Sequence, residues 1–332
     1  MRFYDLRLFD LQGKIAFNPT THPGGKLDPA ALLIEFDAPT SVYAAPVGAV
    51  VLTVHGVPLE ILFQARHFGL WVDESGQEFQ APYTVELFGG MKAGLPLANP
   101  KQSGLLLSGV VLQSWGNWEG TDMTLDLLIS GSGGYSVERP APLVLVWRKG
   151  MELADALRQC LALAFPNAPL QISIRSGLVQ NHDEIGTFST LEQLGRWVEQ
   201  FTRIGFRNPV HIAPAGAGFA VFDKAYKPTP IQLAFTDFVG QPTWLQPRVM
   251  QVKLVLRGDL SIGSIVKLPQ GIADVPGIVL TARGSYPGAS QAKNKSTFAG
   301  DFQIIAMRHI GNSRSPDGTT WVTIINCVPL SK

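Results

Sequence analysis

The chain has 332 residues, a formal net charge of +1 and charged side chains at only 16% of positions, against roughly 25% in an average soluble domain. So small a net charge excludes a global field that would recruit nucleic acid or an anionic membrane surface. With 45% hydrophobic residues, part of the surface is expected to lie against partners or further copies of the chain, although a large enzyme with a big core would show the same numbers.

The length permits two or three domains, each with its own core. The 34 glycines and 24 prolines suit many strands joined by turns better than a helical bundle. Cys160 and Cys327 are the only cysteines, too far apart to suggest a disulfide framework, which fits assembly in a reducing cytoplasm. No apolar run reaches the ~18 to 20 residues of a membrane span, and "MRFYDLRLFDLQG" lacks the apolar core of a signal peptide, so a soluble product is expected.

Residues 1–140 read as strands and turns. "GAVVLTVHGVPLEILF" holds two β-rich runs separated by Gly56 and Pro58, a hairpin pattern, and "SGLLLSGVVLQSW" reads the same way. "TDMTLDLLIS" alternates Met123, Leu125, Leu127 and Ile129 with Thr124 and Asp126, the period of a half-buried strand. Short strands without intervening helices predict an antiparallel sandwich or barrel. The Gly/Ser/Pro-rich stretch at 130–142 marks a boundary.

Residues 141–230 predict a small α+β insert. After the strand "LVLVWRKG", Leu153, Leu157, Cys160, Leu161 and Ala164 fall at helical spacing, which buries Cys160. The strand "LQISIRS" leads to "FSTLEQLGRWVEQF", where Ser189 and Glu192 have capping-box spacing and Leu191, Leu194, Trp197, Val198 and Phe201 form one stripe. From 231 to 332 strands return: "GQPTWLQPRVMQVKLVLRG", "LSIGSIVKLP" with Gly263 at a bend or bulge, and a closing hairpin of Phe302 to His309 and Thr320 to Cys327 around Pro316-Asp317-Gly318.

Candidate chemistry is sparse. The six histidines are scattered without HExxH, and "NHDEIG" reads as a polar loop before a helix, not as a metal site. The glycine-rich stretches at 131–136 and 215–225 run into proline or a strand instead of a helix start, so both are turns and not phosphate cradles. No GxSxG occurs, and Cys327 shares a strand face with Trp321, Thr323 and Ile325, the setting of an inert, buried thiol. His309 ends its strand beside a polar loop and would be a base only if a nucleophile and a carboxylate met it in space. Trp115 and Trp118 lie beside Glu119 and outside any Lys/Arg cluster, which suits core packing or a protein interface.

Asp237 with "GQPTW" (Gly240 to Trp244), then "LRGDLSIGSIVKLP" (Leu256 to Pro269), then "GDFQIIAMRHIGNSRSPDGTTWVTIINCVPL" (Gly300 to Leu330) resemble the baseplate hub proteins of contractile-tailed bacteriophages, relatives of the late-control-D proteins and of the hub part of type VI secretion spikes. The resemblance covers about the last hundred residues well. "ELADALRQCLALAFP" and "FSTLEQL" precede it in the expected order, and the N-terminal third agrees only in being β-rich.

The resemblance implies a mainly β fold with an α+β insert: two tail-tube-like antiparallel β-barrels, at 1–140 and 231–332, and a smaller helix-containing domain at 141–230. It implies a homotrimer in a virion baseplate that joins a sixfold tail tube to a threefold spike and lines the DNA exit channel. The expected partners are further copies of the chain, the central spike protein, a tail tube or tube-initiator protein, the tape-measure protein and other baseplate proteins, with genomic DNA only in passage. A fused lysozyme or needle domain has no room in 332 residues, so the spike is expected as a separate chain. The candidate interface residues are Gln241, Pro242, Trp244, Arg308 and His309, and no catalytic, cofactor-binding or metal-ligating residue is expected. The rival readings are a peripheral baseplate or distal-tail binding protein and a cell-wall glycan hydrolase, the latter needing a carboxylate pair in a cleft.

Overall fold

The computed structural model describes residues 2–43, 49–72, 78–80, 83–92, 100–130, 142–166, 168–215, 218–246, 249–269, 278–279 and 300–330. The expected boundary near 140 and the glycine-rich stretch at 131–136 lie outside them.

The first region holds β1 (Arg2–Phe9), β2 (Ile15–Phe17), β3 (Leu33–Ser41), β4 (Val50–His55), the short helix α1 (Leu59–Gln64), β5 (Leu70–Val72), β6 (Glu78–Gln80), β7 (Thr84–Met91), β8 (Gly104–Glu119) and β9 (Asp122–Ser130). The middle holds β10 (Leu143–Trp147), α2 (Leu153–Ala164), β11 (Leu170–Ser173), β12 (Glu184–Phe188), α3 (Leu191–Phe206), β13 (His211–Ala215) and β14 (Gly218–Phe222). The last region holds β15 (Ile231–Gln232), β16 (Thr243–Gln246), β17 (Val249–Val255), β18 (Ile265–Lys267), β19 (Ile278–Val279), β20 (Asp301–Asn312) and β21 (Trp321–Pro329).

The fold is mostly β, and its largest element is a 14-stranded, predominantly antiparallel sheet that joins the first and last regions. No described pairing closes either half into a separate barrel. The link is β20. Its first residues pair with β18, and after a bulge between Ile304 and Ala306 the same edge pairs with β3 from Ser41 to Glu35. A bulge bends a strand and re-aims its side chains, which lets one strand serve two cores.

Period-two alternation sends Ile34, Phe36, Val50, Leu52, Val54, Leu125, Leu127 and Ile129 into the first core, where Leu256 and Trp321 from the last region join them. The second core gathers Trp244, Met250, Val252, Leu254, Ile304, Ile325 and Cys327, with Ala213 and Phe222 from the middle. The third packs α2 and α3 against β10 to β14 and takes in Tyr43. Thus β3 and the two residues after it reach all three cores: Ile34 the first, Val42 the second and Tyr43 the third.

Several expectations change. The run after Pro58 is α1, not a strand, because Pro58 suits a helix start and its carbonyl accepts from Ile61 and Leu62. The segment around Gly109 is one long strand and not a hairpin; a Cβ at Gly109 would meet the Ser130 carbonyl at 2.1 Å, so the glycine serves close strand approach and not a turn. Glu184 opens a strand and not a helix. The cap of α3 is Thr190, whose hydroxyl accepts from Gln193 N–H, while the Gln193 side chain reaches back to Ser189 N–H. Gly263 sits at φ 87° in a turn, and the strand that follows is only Ile265–Lys267. The closing hairpin stands, with β20 running on to Asn312, so His309 lies inside its strand.

Candidate functional site

Where the first and last regions meet, the chain buries a polar network. Asp237 and Arg257 are 5% and 3% exposed. Gln102 Nε2 donates to Asp237 Oδ1 at 2.8 Å, and Ala234 N–H and Arg257 Nη1 donate to Asp237 Oδ2 at 2.8 and 3.0 Å. The other side of the guanidinium grips Asp259 as a fork, Nε to Oδ1 at 2.9 Å and Nη2 to Oδ2 at 2.6 Å. Such bidentate geometry suits arginine and not lysine. The backbones touch as well: Gly258 N–H donates to Gln102 C=O, and a Cβ on Gly258 or Gly104 would meet the other's backbone at 2.4 Å.

The network continues through the closing hairpin. Arg257 N–H donates to the Thr323 hydroxyl at 2.9 Å, and that hydroxyl donates to Arg257 C=O at 3.2 Å. His309 Nδ1 lies 2.9 Å from the same oxygen. With the hydroxyl proton directed to the Arg257 carbonyl, Nδ1 is the donor and Nε2, buried without a hydrogen-bond partner, carries the lone pair. Burial pushes the His309 pKa down to about 4, so the ring is neutral at neutral pH. Burial likewise raises the Cys327 thiol far above its ordinary range, which keeps the sulfur protonated and inert.

A histidine meets a hydroxyl, but His309 and Thr323 are 1% and 0% exposed, so no substrate reaches them. Among the described residues no group of three or more His, Cys, Asp or Glu could hold a metal ion.

The five candidate interface residues divide. Gln241 is exposed. Arg308 is exposed too, its guanidinium forked on Asp37 of β3, with Nε to Oδ1 at 2.7 Å. Pro242, Trp244 and His309 are buried by the chain itself, which corrects the picture of His309 as the polar end of a strand. Trp321 also points inward, its indole N–H donating to Gly90 C=O at 3.0 Å and its ring edge-on to Phe36. Sequence reasoning found Asp237 and Arg257 only as parts of a resemblance and missed Gln102. The signal within reach was the pair of charges in "LRGDL", a charged couplet between two apolar strands.

Trp115 and Trp118, expected in a core or an interface, are 46% and 60% exposed on the far end of the β8–β9 ribbon. No helix among the described residues is long and apolar enough to cross a membrane.

No family model matches the chain, and no curated protein sequence does. Solved structures do. The 43 kDa tail protein of prophage MuSo2 from Shewanella oneidensis is 7% identical, with a TM-score of 0.50 over 99% of this chain and 97% of that one. The E. coli c3393 protein, a type VI secretion component described as structurally similar to the T4 bacteriophage tail proteins gp27 and gp5, is 7% identical, with a TM-score of 0.51 over 91% of this chain and 74% of that one. A tail protein from Neisseria meningitidis MC58 is 10% identical, with a TM-score of 0.49 over 98% and 96%. At these identities the likeness is one of fold.

Proposed function

We propose that this chain is a structural component of a phage tail, and specifically the baseplate hub: three copies form a ring that joins the sixfold tail tube to the threefold central spike and lines the channel through which DNA leaves. The observation that carries this reading is the end-to-end likeness, over 99% of this chain and 97% of its neighbour, to a prophage tail protein. Two β-cores under one sheet support it, since two tube-like halves per subunit turn three subunits into a six-part ring. The low charge content supports it too, because a ring subunit buries surface against its copies. In this reading each core belongs to one tube-like barrel, and the α+β middle packs outside the ring. Gln241 and Arg308, exposed in the lone chain, are then the candidates among the five for contact with a neighbour.

Light scattering on the purified protein at micromolar concentration tests this. The expected mass is roughly three times the 36.0 kDa of one chain. A monomer contradicts the hub, and a hexamer favours a distal-tail ring.

A further inference from the structure

The far end of the β8–β9 ribbon departs from the rest of the sheet. β7 pairs with β8 only from Gly104 to Val110, with one more bond from Val111 N–H to Tyr83 C=O. β9 stays paired along the other edge as far as Glu119. No described strand pairs with the free edge of β8 from Trp115 to Glu119. Exposed edges are ordinarily blunted by lysine, proline or a covering loop. Here the edge carries two exposed tryptophans instead.

The two faces of the ribbon differ. On one, Leu62 of α1 sits so close to Gly116 that a Cβ there would meet Leu62 Cδ1 at 2.6 Å. Trp118 shares that face by alternation, its indole N–H held by Gly120 C=O at 3.0 Å, and on α1 Phe63 and Leu59 are 68% and 40% exposed. This face is apolar. On the other, Trp115, Asn117 and Glu119 stand opposite Asp126, Thr124 and Asp122. Asn117, Glu119, Asp122 and Thr124 line a polar depression. Asp126 accepts from the Thr53 hydroxyl at 2.6 Å, and Asp122 lies 3.2 Å from His55 Nδ1. Among the described residues no lysine or arginine pairs with Glu119, Asp122 or Asp126.

We propose that the free edge of β8, Trp115 to Glu119, accepts an added strand from a partner protein, an extended segment that alternates basic and apolar side chains. The N–H and C=O groups of the edge, unpaired among the described residues, supply the ladder. Because successive side chains of a strand point to opposite faces, every second residue of the guest meets Glu119, Asp122 and the Trp115 ring, where lysine or arginine gains carboxylates and a π-face together. The residues between meet Trp118 and Phe63, which favour valine, isoleucine or leucine. Nucleic acid is the wrong charge for this face. The inference stands on the ribbon alone, whether or not the chain is a hub.

The probe is a dye-labelled, end-capped heptapeptide alternating Lys and Val, compared with its Glu/Val counterpart, titrated into the full-length protein. The Lys/Val peptide is expected to bind at least about tenfold more tightly. Its affinity is expected to fall as ionic strength rises from about 0.05 to about 0.3 M. Binding slows amide exchange at residues 115 to 119, and both Trp115→Ala and the Glu119→Lys/Asp122→Lys pair abolish the preference while melting as the parent does. Equal affinity for the two peptides, or no protection at the edge, overturns the proposal. A fall in the native oligomer mass of Trp118→Ala also overturns it, because the edge is then a contact between copies, and that outcome leaves the hub reading intact.

Discussion

The junction between the first and last regions and the tip of the β8–β9 ribbon invert the ordinary rule of polar outside and apolar inside. At the junction Gln102, Asp237, Arg257, Thr323 and His309 are interior, whereas at the tip Trp115, Trp118 and Phe63 face solvent. What separates them is satisfaction. Asp237 and Arg257 each have a partner from a different stretch of chain, so the network costs desolvation and returns a defined meeting of Gln102, the Asp237 turn and the Arg257 strand end. Among the described residues nothing covers the rings at the tip, which stay exposed.

The comparison breaks most visibly if the junction tolerates loss of a charge. Asp237→Ala strips the buried Arg257 guanidinium of one of its two carboxylates and leaves Gln102 and the Ala234 N–H without their acceptor, and we expect a loss of roughly 3–5 kcal/mol in denaturant unfolding. A loss below ~1 kcal/mol would show that water reaches the network.

The next effect is pH. His309 is held neutral, with a pKa lowered from 6.5 to about 4 by burial. His211, whose Nδ1 lies 3.8 Å from the Glu199 carboxylate, is also lowered to about 4, by burial first and then by the charge of Arg203, with Asp223 opposing the shift. A lowered folded-state pKa means that the unfolded chain binds the proton first as pH falls. Stability is therefore full above about pH 6.5 and declines down to about pH 4, by about 3 kcal/mol for each histidine. Urea midpoints measured from pH 7.5 to 4.5 follow this, and His309→Leu is expected to remove about half of the slope. An unchanged slope would mean that His309 protonates while folded.

Close backbone packing comes third. Gly311→Ala puts a Cβ 2.1 Å from the Phe36 ring and is expected to cost roughly 1–3 kcal/mol, read as a lower thermal midpoint. The surface sharpens the contrast with the smallest effects. Arg308→Ala removes an exposed pair with Asp37 and should change stability by no more than about 1 kcal/mol. Trp118→Ala should stay within about 0.5 kcal/mol, since its ring is mostly in solvent.

Much of the fold was legible where a strand is buried on one face only. Leu125, Leu127 and Ile129 announce β9, and the stripes from Leu153 to Leu161 and from Leu191 to Phe201 announce the two long helices, because period and burial agree there. Glycine misled. The segment around Gly109 read as a hairpin, yet that glycine lies inside one long strand, where neighbouring atoms leave no space for a side chain; local sequence does not record such approaches. The partner switch of β20 between β18 and β3 was invisible for the same reason: a bulge depends on which strands arrive beside it. Of the candidate interface, residue type pointed to Trp244 and His309, but their burial is decided by the strands that arrive beside them, as the pairing of His309 with Ala38, far away in the sequence, shows.

The proposed role puts this chain on the tail axis. Cryo-electron microscopy of the particle that carries it tests this most directly. The account predicts three copies in a ring between the sixfold tube and the spike, with both β-cores of each copy in the ring wall and the α+β middle on its outside. Density for the chain away from the axis, or in a ring of six, would contradict it.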